Sequence, residues 1–349
     1  MKRHMFGRIV ITVLAVWGAS WWLAITAGAQ GQAPPAPPLG PEAQMHVMAA
    51  KLLSANDIRI VKYACPGQPP LSKNPVRGQD AVLAPPTKIF DQLYFLGTDF
   101  VASYALVTSG GIILLDTMDN NGEAQKIIAD GLKVVGLDPA QIKYAVLSHG
   151  HGDHFGGAKY LQELYKIRIL AGPRDWDMME KAATAPPVPR PAGDTLPEFG
   201  APPKRDMDVA DGQKLTLGDT TVTLYRTPGH TPDTVSVIFP VTDRGVPHMV
   251  SWAGGTIPPN EANSIMMAQS YLRLLQMGEE AGADVYISPH PYADSAFSVI
   301  DKDISKIDKL KARKAGDPNP FVAGRDKYIR YMMAHIECSL AKASYLQGR

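Results

Sequence analysis

The sequence predicts an α/β protein built as a four-layer αββα sandwich, in which two packed sheets lie between outer helices. Three observations predict this fold. Two series of strand-like segments follow one another along the chain, helical segments separate or follow them, and strands of both series end at histidines. The two series resemble each other in layout, which favours two similar halves over a single Rossmann-type sheet.

Each series is recognised by short apolar or alternating runs broken by turn residues. The first contains "KIFDQLYFLGT", "VASYALVTSGGIILLDT" and "KYAVLSHG", with the helical "AQKIIADGLKVVG" between the last two. The second contains "GQKLTLGDTTVTLYRTPGHT", "TVSVIFPVTDRGVPHMVSWAGG" and "ADVYISPHP". After them, "SVIDKDISKIDKLKARKAG" and "NPFVAGRDKYIRYMMAHIECSLAKASYLQ" predict two C-terminal helices.

The N-terminus is typical of an export segment. The basic "MKRHMFGR" precedes the apolar "IVITVLAVWGASWWLAITAGA", and Ala27 and Ala29 offer a small-x-small cleavage site. Because the run is about 20 residues long, an uncleaved membrane anchor is the alternative. Either form places the folded part outside the cytoplasm, periplasmic or secreted, and we expect membrane contact only if the segment stays uncleaved.

Composition divides the chain into three parts. Residues 1–29 are the signal peptide or anchor, residues 30–86 are a Pro-rich linker with an N-terminal arm, and residues 87–349 are the αββα domain. The arm contains the helical "EAQMHVMAAKLLSAND". The Pro-rich stretch from Thr184 to Arg205 is interpreted as an ordered loop that could border a cleft, with an interdomain linker as the alternative.

The two cysteines, Cys65 in the arm and Cys338 near the C-terminus, could form a disulfide in an oxidising compartment or remain free thiols. Sequence alone leaves both states open. The charge is nearly balanced, with 35 Lys and Arg against 34 Asp and Glu, and no basic stripe interleaves with aromatic residues. We therefore expect a small-molecule substrate and no nucleic-acid partner.

The stretch "LSHGHGDHFGG" concentrates metal-ligand chemistry at a strand end. His149 and His151 are separated by one glycine and can turn toward one point, which suits a tetrahedral zinc ion. Asp153 and His154 cannot aim at the same ion without crowding. The spacing therefore predicts a second metal that the carboxylate and His154 face.

Two further histidines follow strands of the second series. His230 stands in "RTPGHTPDT" and His290 in "YISPHPYAD". Either one alone would be an ordinary turn histidine. Together with the first cluster, both are predicted as ligands.

These three motifs, H-x-H-x-D-H, G-H-T-P and S-P-H-P, resemble the metallo-β-lactamase superfamily from about Thr87 to Leu340. Within it the pattern is similar to the third subclass of metallo-β-lactamases, including a helical "NPF" region at 319–321. The resemblance implies two zinc ions. It assigns their ligands as His149, His151 and His230 for the first ion, and Asp153, His154 and His290 for the second.

The resemblance also matches Asp116, which ends "GIILLDT", to a family aspartate near the site. Asp116 is therefore a candidate to support a metal ligand. A plain strand-end cap explains the residue equally well.

The function that the resemblance implies is an exported binuclear zinc hydrolase that opens the β-lactam ring of antibiotics and confers resistance. Two zinc ions about 3.5 to 4 Å apart lower the pKa of a shared water, and the resulting hydroxide attacks the lactam carbonyl. Asp153 is the predicted catalytic residue, because it would orient this nucleophile. Iron or manganese would suit the same ligands.

Other members of the superfamily hydrolyse lactones, esters or other cyclic amides, and these are the alternative substrates. Glyoxalase II-like members place a bridging aspartate where this chain has Gly254 or Gly255, and its absence favours the lactamase branch. "AGG" replaces a serine-containing "ADS", and "TPD" replaces "TPG", so another substrate stays open. A metal-binding protein without activity is the third reading.

Overall fold

The computed structural model describes residues 38–54, 59–68, 81–185, 196, 198–297 and 305–347. Residues from Pro38 onward form one compact unit. The expected export segment, residues 1–29, lies outside the described residues. Across the described part of the chain, no helix is both long and apolar enough to cross a membrane.

The strands form two sheets, one from each half of the chain. The first sheet contains, in spatial and chain order, β1 (Thr87–Lys88), β2 (Leu93–Gly97), β3 (Ala102–Thr108), β4 (Gly111–Leu115), β5 (Ile142–Val146), β6 (Arg168–Ala171) and β7 (Met207–Asp208). The second contains β8 (Gln213–Leu217), β9 (Thr220–Arg226), β10 (Val235–Asp243), β11 (Val246–Trp252) and β12 (Val285–Ile287).

The helices flank these sheets in sequence and in space. They are α1 (Pro41–Ser54), α2 (Arg59–Ala64), α3 (Asn121–Glu123), α4 (Asp130–Val134), α5 (Gly152–Phe155), α6 (Ala158–Tyr165), α7 (Pro173–Thr184), α8 (Glu261–Ala281), α9 (Lys306–Lys311) and α10 (Arg325–Gln347). A π-helical turn, Ala124–Ala129, joins α3 to α4.

Parallel pairing sets where the loops meet. Strands β4, β5, β6 and β7 pair in parallel, and β12 pairs in parallel with β11. Parallel strands bring their carboxyl ends to one edge of a sheet. The loops after β4 and β5, which carry Asp116 and the H-x-H-x-D-H string, therefore lie side by side.

Three apolar clusters fill the spaces between four layers. The central cluster joins both sheets and includes Phe95 and Tyr104 from the first and Phe239 and Trp252 from the second. The second cluster packs the outer face of the first sheet against α4, α6 and α7, and the third packs the second sheet against α1, α8 and α10. Alternating strand residues thus bury both faces of each sheet, and the predicted αββα sandwich is confirmed.

The N-terminal arm packs against the C-terminal helix. Val47 and Ala50 of α1 are buried in the cluster that contains α10. A disulfide joins Cys65 to Cys338 on α10, with the Cα atoms 4.3 Å apart. The structure thus selects the disulfide over free thiols.

One expectation about the tail is wrong. Asn319–Phe321 is not helical; α10 begins only at Arg325, after Gly324 with a φ of +80°. Asn319 instead clamps a loop, because its side-chain amide donates to the Ile89 carbonyl at 2.8 Å and its carbonyl oxygen accepts from the Phe321 N–H at 3.0 Å.

A histidine that belongs to no metal motif is buried in the outer helical layer. His335 on α10 is 1% exposed and stacks on the Tyr271 ring at 4.4 Å. Neither ring nitrogen has a hydrogen-bond partner within the described residues. Burial lowers the pKa of His335 to about 3, so the folded protein holds it neutral.

We expect the His335→Phe variant to be more stable than the wild type, and increasingly so as pH falls. A pKa lowered from about 6.5 to about 3 means that the unfolded chain binds a proton which the folded chain rejects. The wild type therefore loses part of its free energy of unfolding as the pH falls from 6.5 toward 3, and it loses none of this part above pH 6.5. The stability gap between the proteins should widen by about 2 kcal/mol from pH 7 to pH 5.

Urea unfolding at both pH values measures this gap. The partners of the ring, Tyr271 and Tyr331, are uncharged at both values, and the metal-site histidines titrate alike in both proteins. A gap that stays constant between pH 7 and pH 5 would show that His335 is accessible to protons in the folded state.

Candidate metal centre

Three histidines from two loops point their ring nitrogens at one spot. His149 and His151 lie in the loop after β5, and His230 lies in the loop between β9 and β10. His230 Nε2 is 3.1 Å from His149 Nε2 and 3.1 Å from His151 Nδ1. We call this set the first triad.

The spacing of the first triad fits a tetrahedral ion. Nitrogen ligands 2.0–2.1 Å from a zinc ion in tetrahedral geometry stand about 3.3 to 3.4 Å apart. Three imidazole lone pairs that converge at 3.1 Å repel one another unless a cation or proton lies between them. The first triad therefore has the donor type and geometry of a metal site.

A carboxylate and two histidines form a second triad beside the first. Asp153 Oδ2 is 3.3 Å from His154 Nε2 and 3.7 Å from His290 Nε2. His154 Nε2 is fully buried and, within the described residues, makes no aligned hydrogen bond. The His149 and His154 rings are 4.0 Å apart between centroids, so the triads are neighbours. The structure thus brings together all six predicted ligands.

Four of the five histidines are oriented through the ring nitrogen that points away from the site. His149 Nδ1 lies 3.0 Å from the Gly254 carbonyl, His230 Nδ1 2.5 Å from the Ile257 carbonyl and His290 Nδ1 2.8 Å from the Phe100 carbonyl. The fourth, His154 Nδ1, lies 2.7 Å from Asp116 Oδ2. An acceptor at Nδ1 keeps the proton there, which leaves Nε2 as a lone-pair donor toward the site.

Electrostatics give the ligands the charge states that metal binding needs. Burial, together with the charge of nearby histidines, lowers the pKa of His230 to about 3 and that of His290 to about 4. Burial alone would raise the pKa of the Asp153 carboxyl, but His154 and His290 lower it well below its usual range. Neutral imidazoles and an ionised carboxylate are the ligating forms.

His154 differs from the other histidines because two carboxylates face it. Burial alone lowers its pKa, yet Asp153 and Asp116 outweigh burial and raise the pKa to about 10. In the metal-free protein the second triad therefore favours one positive charge at His154 Nε2. A metal ion bound there would replace that proton.

Asp116 supports the second triad through a hydrogen bond with the His154 ring. It is fully buried and accepts from the Ser148 N–H at 2.6 Å, the Ser148 hydroxyl at 2.8 Å and His154 Nδ1 at 2.7 Å. Its φ of +63° is a left-handed conformation that few residues other than Gly, Asn and Asp adopt readily. Its contacts with Ser148 and His154 extend beyond those of a plain strand-end cap.

We expect Asp116→Asn to weaken metal binding at the second triad by about 10- to 100-fold while the fold is retained. Asparagine tolerates the left-handed backbone, but its NH₂ group must face either His154 Nδ1–H or a Ser148 donor. Zinc titration against a chromophoric chelator measures this loss. The matched control is Asp130→Asn, which changes a half-exposed carboxylate on α4. Equal zinc affinities in the two variants would contradict the role of Asp116.

A second buried carboxylate, which sequence reasoning missed, links the two loops of the first triad. Asp175 on α7 accepts from the Gly150 N–H at 3.0 Å, the Thr231 hydroxyl at 2.6 Å and the Asp233 N–H at 3.0 Å. Gly150 separates His149 from His151, and Thr231 follows His230. No sequence signal identifies Asp175, because acidic residues in the first turn of a helix are common on surfaces.

The place of the bridging aspartate in related hydrolases has no room for a side chain here. A Cβ atom on Gly254 would lie 1.9 Å from the Val235 carbonyl oxygen, and one on Gly255 would lie 2.5 Å from the His230 Cβ. Asp233, the acid nearest to His230 in sequence, instead accepts from the Arg174 N–H at 2.8 Å and pairs with Arg226. The backbone therefore excludes a carboxylate at both glycines.

Aromatic side chains border the site on two sides. Phe199, from the end of the predicted Pro-rich loop, packs so closely on Gly152 that a Cβ there would lie 2.3 Å from its ring. Residues 186–195 and 197 of that loop lie outside the described residues. On the other side, Phe100 and Tyr292 each have a ring centroid 5.2 Å from that of His290.

Tyr63 of the N-terminal arm contacts Tyr292 and was also missed from the sequence. Burial raises the pKa of Tyr63 to about 12, and the charge of Asp153 adds to the shift. The phenol is therefore protonated at neutral pH.

Comparison with known proteins bears on the family and the fold. The family described as "Metallo-beta-lactamase superfamily" matches residues 96–244. The chain is similar to the crystal structure of BJP-1, a subclass B3 metallo-beta-lactamase of Bradyrhizobium japonicum, with 26% identity, a TM-score of 0.56 and coverage of 72% of this chain and 90% of that chain. The metallo-beta-lactamase FEZ-1 from Legionella gormanii shares the fold, with 22% identity and a TM-score of 0.55. The match covers 72% of this chain and 92% of that chain.

Sequence relatives include hydrolases of other substrates. A hydroxyacylglutathione hydrolase of Rhodopseudomonas palustris is 26% identical over 218 residues, which are 58% of this chain and 73% of that protein. The N-acyl homoserine lactonase AttM of Azorhizobium caulinodans is 27% identical over 48% of this chain and 65% of that protein. An Aquifex aeolicus protein without assigned function is 29% identical, and the match spans about half its length, 52%.

Proposed function

We propose that this chain is an exported binuclear zinc hydrolase that opens the β-lactam ring of antibiotics, because residues 96–244 match the metallo-β-lactamase superfamily and the fold is similar to that of BJP-1. The observation that carries the proposal is the pair of adjacent triads, each with three convergent donor atoms. A single structural ion would need only one of them. In the forms that bind metal, the first triad is neutral and the second carries the negative charge of the Asp153 carboxylate.

The donor set fits two zinc ions, with His149, His151 and His230 at one and Asp153, His154 and His290 at the other. When bound, such ions would polarise a carbonyl and lower the pKa of a nearby water. The protein residues do the positioning. Asp153 orients the attacking water through its carboxylate, and Asp116 fixes the ring of His154.

Two features support a lactam substrate, and two others support export. The likeness to BJP-1 spans 90% of that chain, and the backbone at Gly254 and Gly255 excludes the bridging carboxylate of glyoxalase II-like enzymes. The Cys65–Cys338 disulfide favours an oxidising compartment, in agreement with the N-terminal export segment and a periplasmic or secreted location.

Hydrolysis of a lactone or thioester is the second candidate. The relatives named as a hydroxyacylglutathione hydrolase and an N-acyl homoserine lactonase favour it. Both reactions begin with attack on a carbonyl, so the same triads would serve. They differ in the leaving group, which is a nitrogen in a lactam and an oxygen or sulfur in the alternatives.

Hydrolysis of a chromogenic cephalosporin by the zinc-loaded chain tests the proposal. We expect turnover that a chelator abolishes and added zinc restores. An N-acyl homoserine lactone and a hydroxyacylglutathione thioester are assayed in parallel under the same conditions. Chelator-sensitive turnover of only the lactone or the thioester would overturn the lactam assignment and favour the second candidate.

A further inference from the structure

The N-terminal arm places an aromatic residue against the loop that orients His230. The Tyr63 hydroxyl donates to Thr256 Oγ1 at 2.8 Å. Thr256 stands between Gly255, which packs on His230, and Ile257, whose carbonyl accepts from His230 Nδ1. Tyr63 thus reaches from α2 to the segment that supports the first triad.

The ring of Tyr63 also reaches the side of the second triad. It meets the Tyr292 ring edge-on, with centroids 4.9 Å apart. The ring centroid of Tyr292 is 5.2 Å from that of His290 and 6.4 Å from that of Phe100. Tyr292 is only 8% exposed, whereas Tyr63 is half-buried, so Tyr63 is the member of this pair that solvent reaches.

A covalent link holds this arm in place. Cys65 follows Tyr63 by two residues and is bonded to Cys338 on α10. The helix that carries Tyr63, α2, has six residues, which is too short to be stable by itself. The disulfide therefore ties the position of Tyr63 to the C-terminal helix.

We propose that Tyr63, backed by the buried Tyr292, forms an aromatic wall of the substrate cleft, that this wall binds an aryl group of the substrate, and that the Cys65–Cys338 disulfide holds it in place. The inference rests on the proposed function, because it needs a ligand bound at metal-loaded triads. Aromatic rings prefer edge-to-face or offset contacts with one another, which a flat aryl group can make and a methyl group cannot.

Two hydroxamates separate the wall from the metal centre. Acetohydroxamate and benzohydroxamate chelate zinc through the same group and differ in carrying a methyl or a phenyl. We expect the zinc-loaded full chain to prefer benzohydroxamate in calorimetric titrations. The Tyr63→Ala variant should lose about two- to tenfold of that preference, while Tyr63→Phe keeps it. Acetohydroxamate affinity should be the same in all three proteins.

The control is Tyr94→Ala, which removes another half-buried ring, beside Lys88 on the first sheet. It should leave the preference unchanged. If acetohydroxamate binds but Tyr63→Ala keeps the full preference, the wall is wrong and the metal centre stands. If neither hydroxamate binds the zinc-loaded wild type, the proposed function fails and the wall fails with it.

The disulfide is tested with the Cys65→Ser/Cys338→Ser double variant. We expect it to bind acetohydroxamate with wild-type affinity, which also reports an intact fold, but to lose the benzohydroxamate preference to the level of Tyr63→Ala. Adding Tyr63→Ala to the double variant should cause no further loss. A double variant that keeps the wild-type preference would show that the disulfide does not hold the wall.

Discussion

The Asp153→Ala variant is expected to bind one zinc ion where the wild type binds two, and to lose turnover by about 10²- to 10⁴-fold. Asp153 Oδ2 is the anionic donor of the second triad, 3.3 Å from His154 Nε2 and 3.7 Å from His290 Nε2. Its removal leaves two imidazoles, which bind a divalent ion weakly. It also removes the group that we propose to orient the attacking water.

Metal content after dialysis and steady-state hydrolysis of the chromogenic cephalosporin measure the two effects. Asp177→Ala removes an exposed carboxylate that pairs with Arg205 and is the control, with both properties unchanged. Full activity together with two bound ions in the Asp153→Ala variant would refute the assignment of the second triad.

Loss of Asp175 should have the largest effect on stability. In the Asp175→Ala variant two buried donors, the Gly150 N–H and the Asp233 N–H, lose their acceptor, while the Thr231 hydroxyl keeps Thr234 Oγ1 as a partner at 2.7 Å. Each unsatisfied buried group costs about 1 to 3 kcal/mol, so we expect the free energy of unfolding to fall by about 2 kcal/mol or more. First-triad zinc affinity should fall too, because the loops that carry its histidines are no longer joined.

Urea unfolding of the metal-free protein and zinc titration separate the two results. Asp175→Asn keeps one acceptor oxygen. Its free energy of unfolding and its zinc affinity should lie between those of the wild type and the alanine variant. Asp206→Ala removes a carboxylate that pairs with Arg168 away from the triads, and it should leave zinc affinity unchanged. An Asp175→Ala protein with wild-type zinc affinity would show that Asp175 does not position the first triad.

The local part of the site was predictable from sequence. His149, His151, Asp153 and His154 lie within six residues at a strand end, so their spacing alone places them on one short loop. His230 and His290 are far away in sequence, and only their similar position after strands related them to that loop. Parallel pairing of β4 with β5 then explains why Asp116 lies under His154.

The supporting contacts were not predictable in the same way. Asp175 and Tyr63 reach the site by tertiary packing of α7 and α2, and neither carries a motif. The pairing of Cys65 with Cys338 depends on a distance that no sequence gives. Asn319–Phe321 was expected to be helical, but asparagine side chains readily hydrogen-bond nearby backbone outside helices, as Asn319 does here.

The central claim is that the two triads together hold a metal pair. Crystals of the zinc-loaded protein, measured on both sides of the zinc absorption edge, test it most directly. We predict two anomalous peaks, one among His149, His151 and His230 and one among Asp153, His154 and His290. A single peak, or a peak at neither triad under saturating zinc, would contradict the binuclear account.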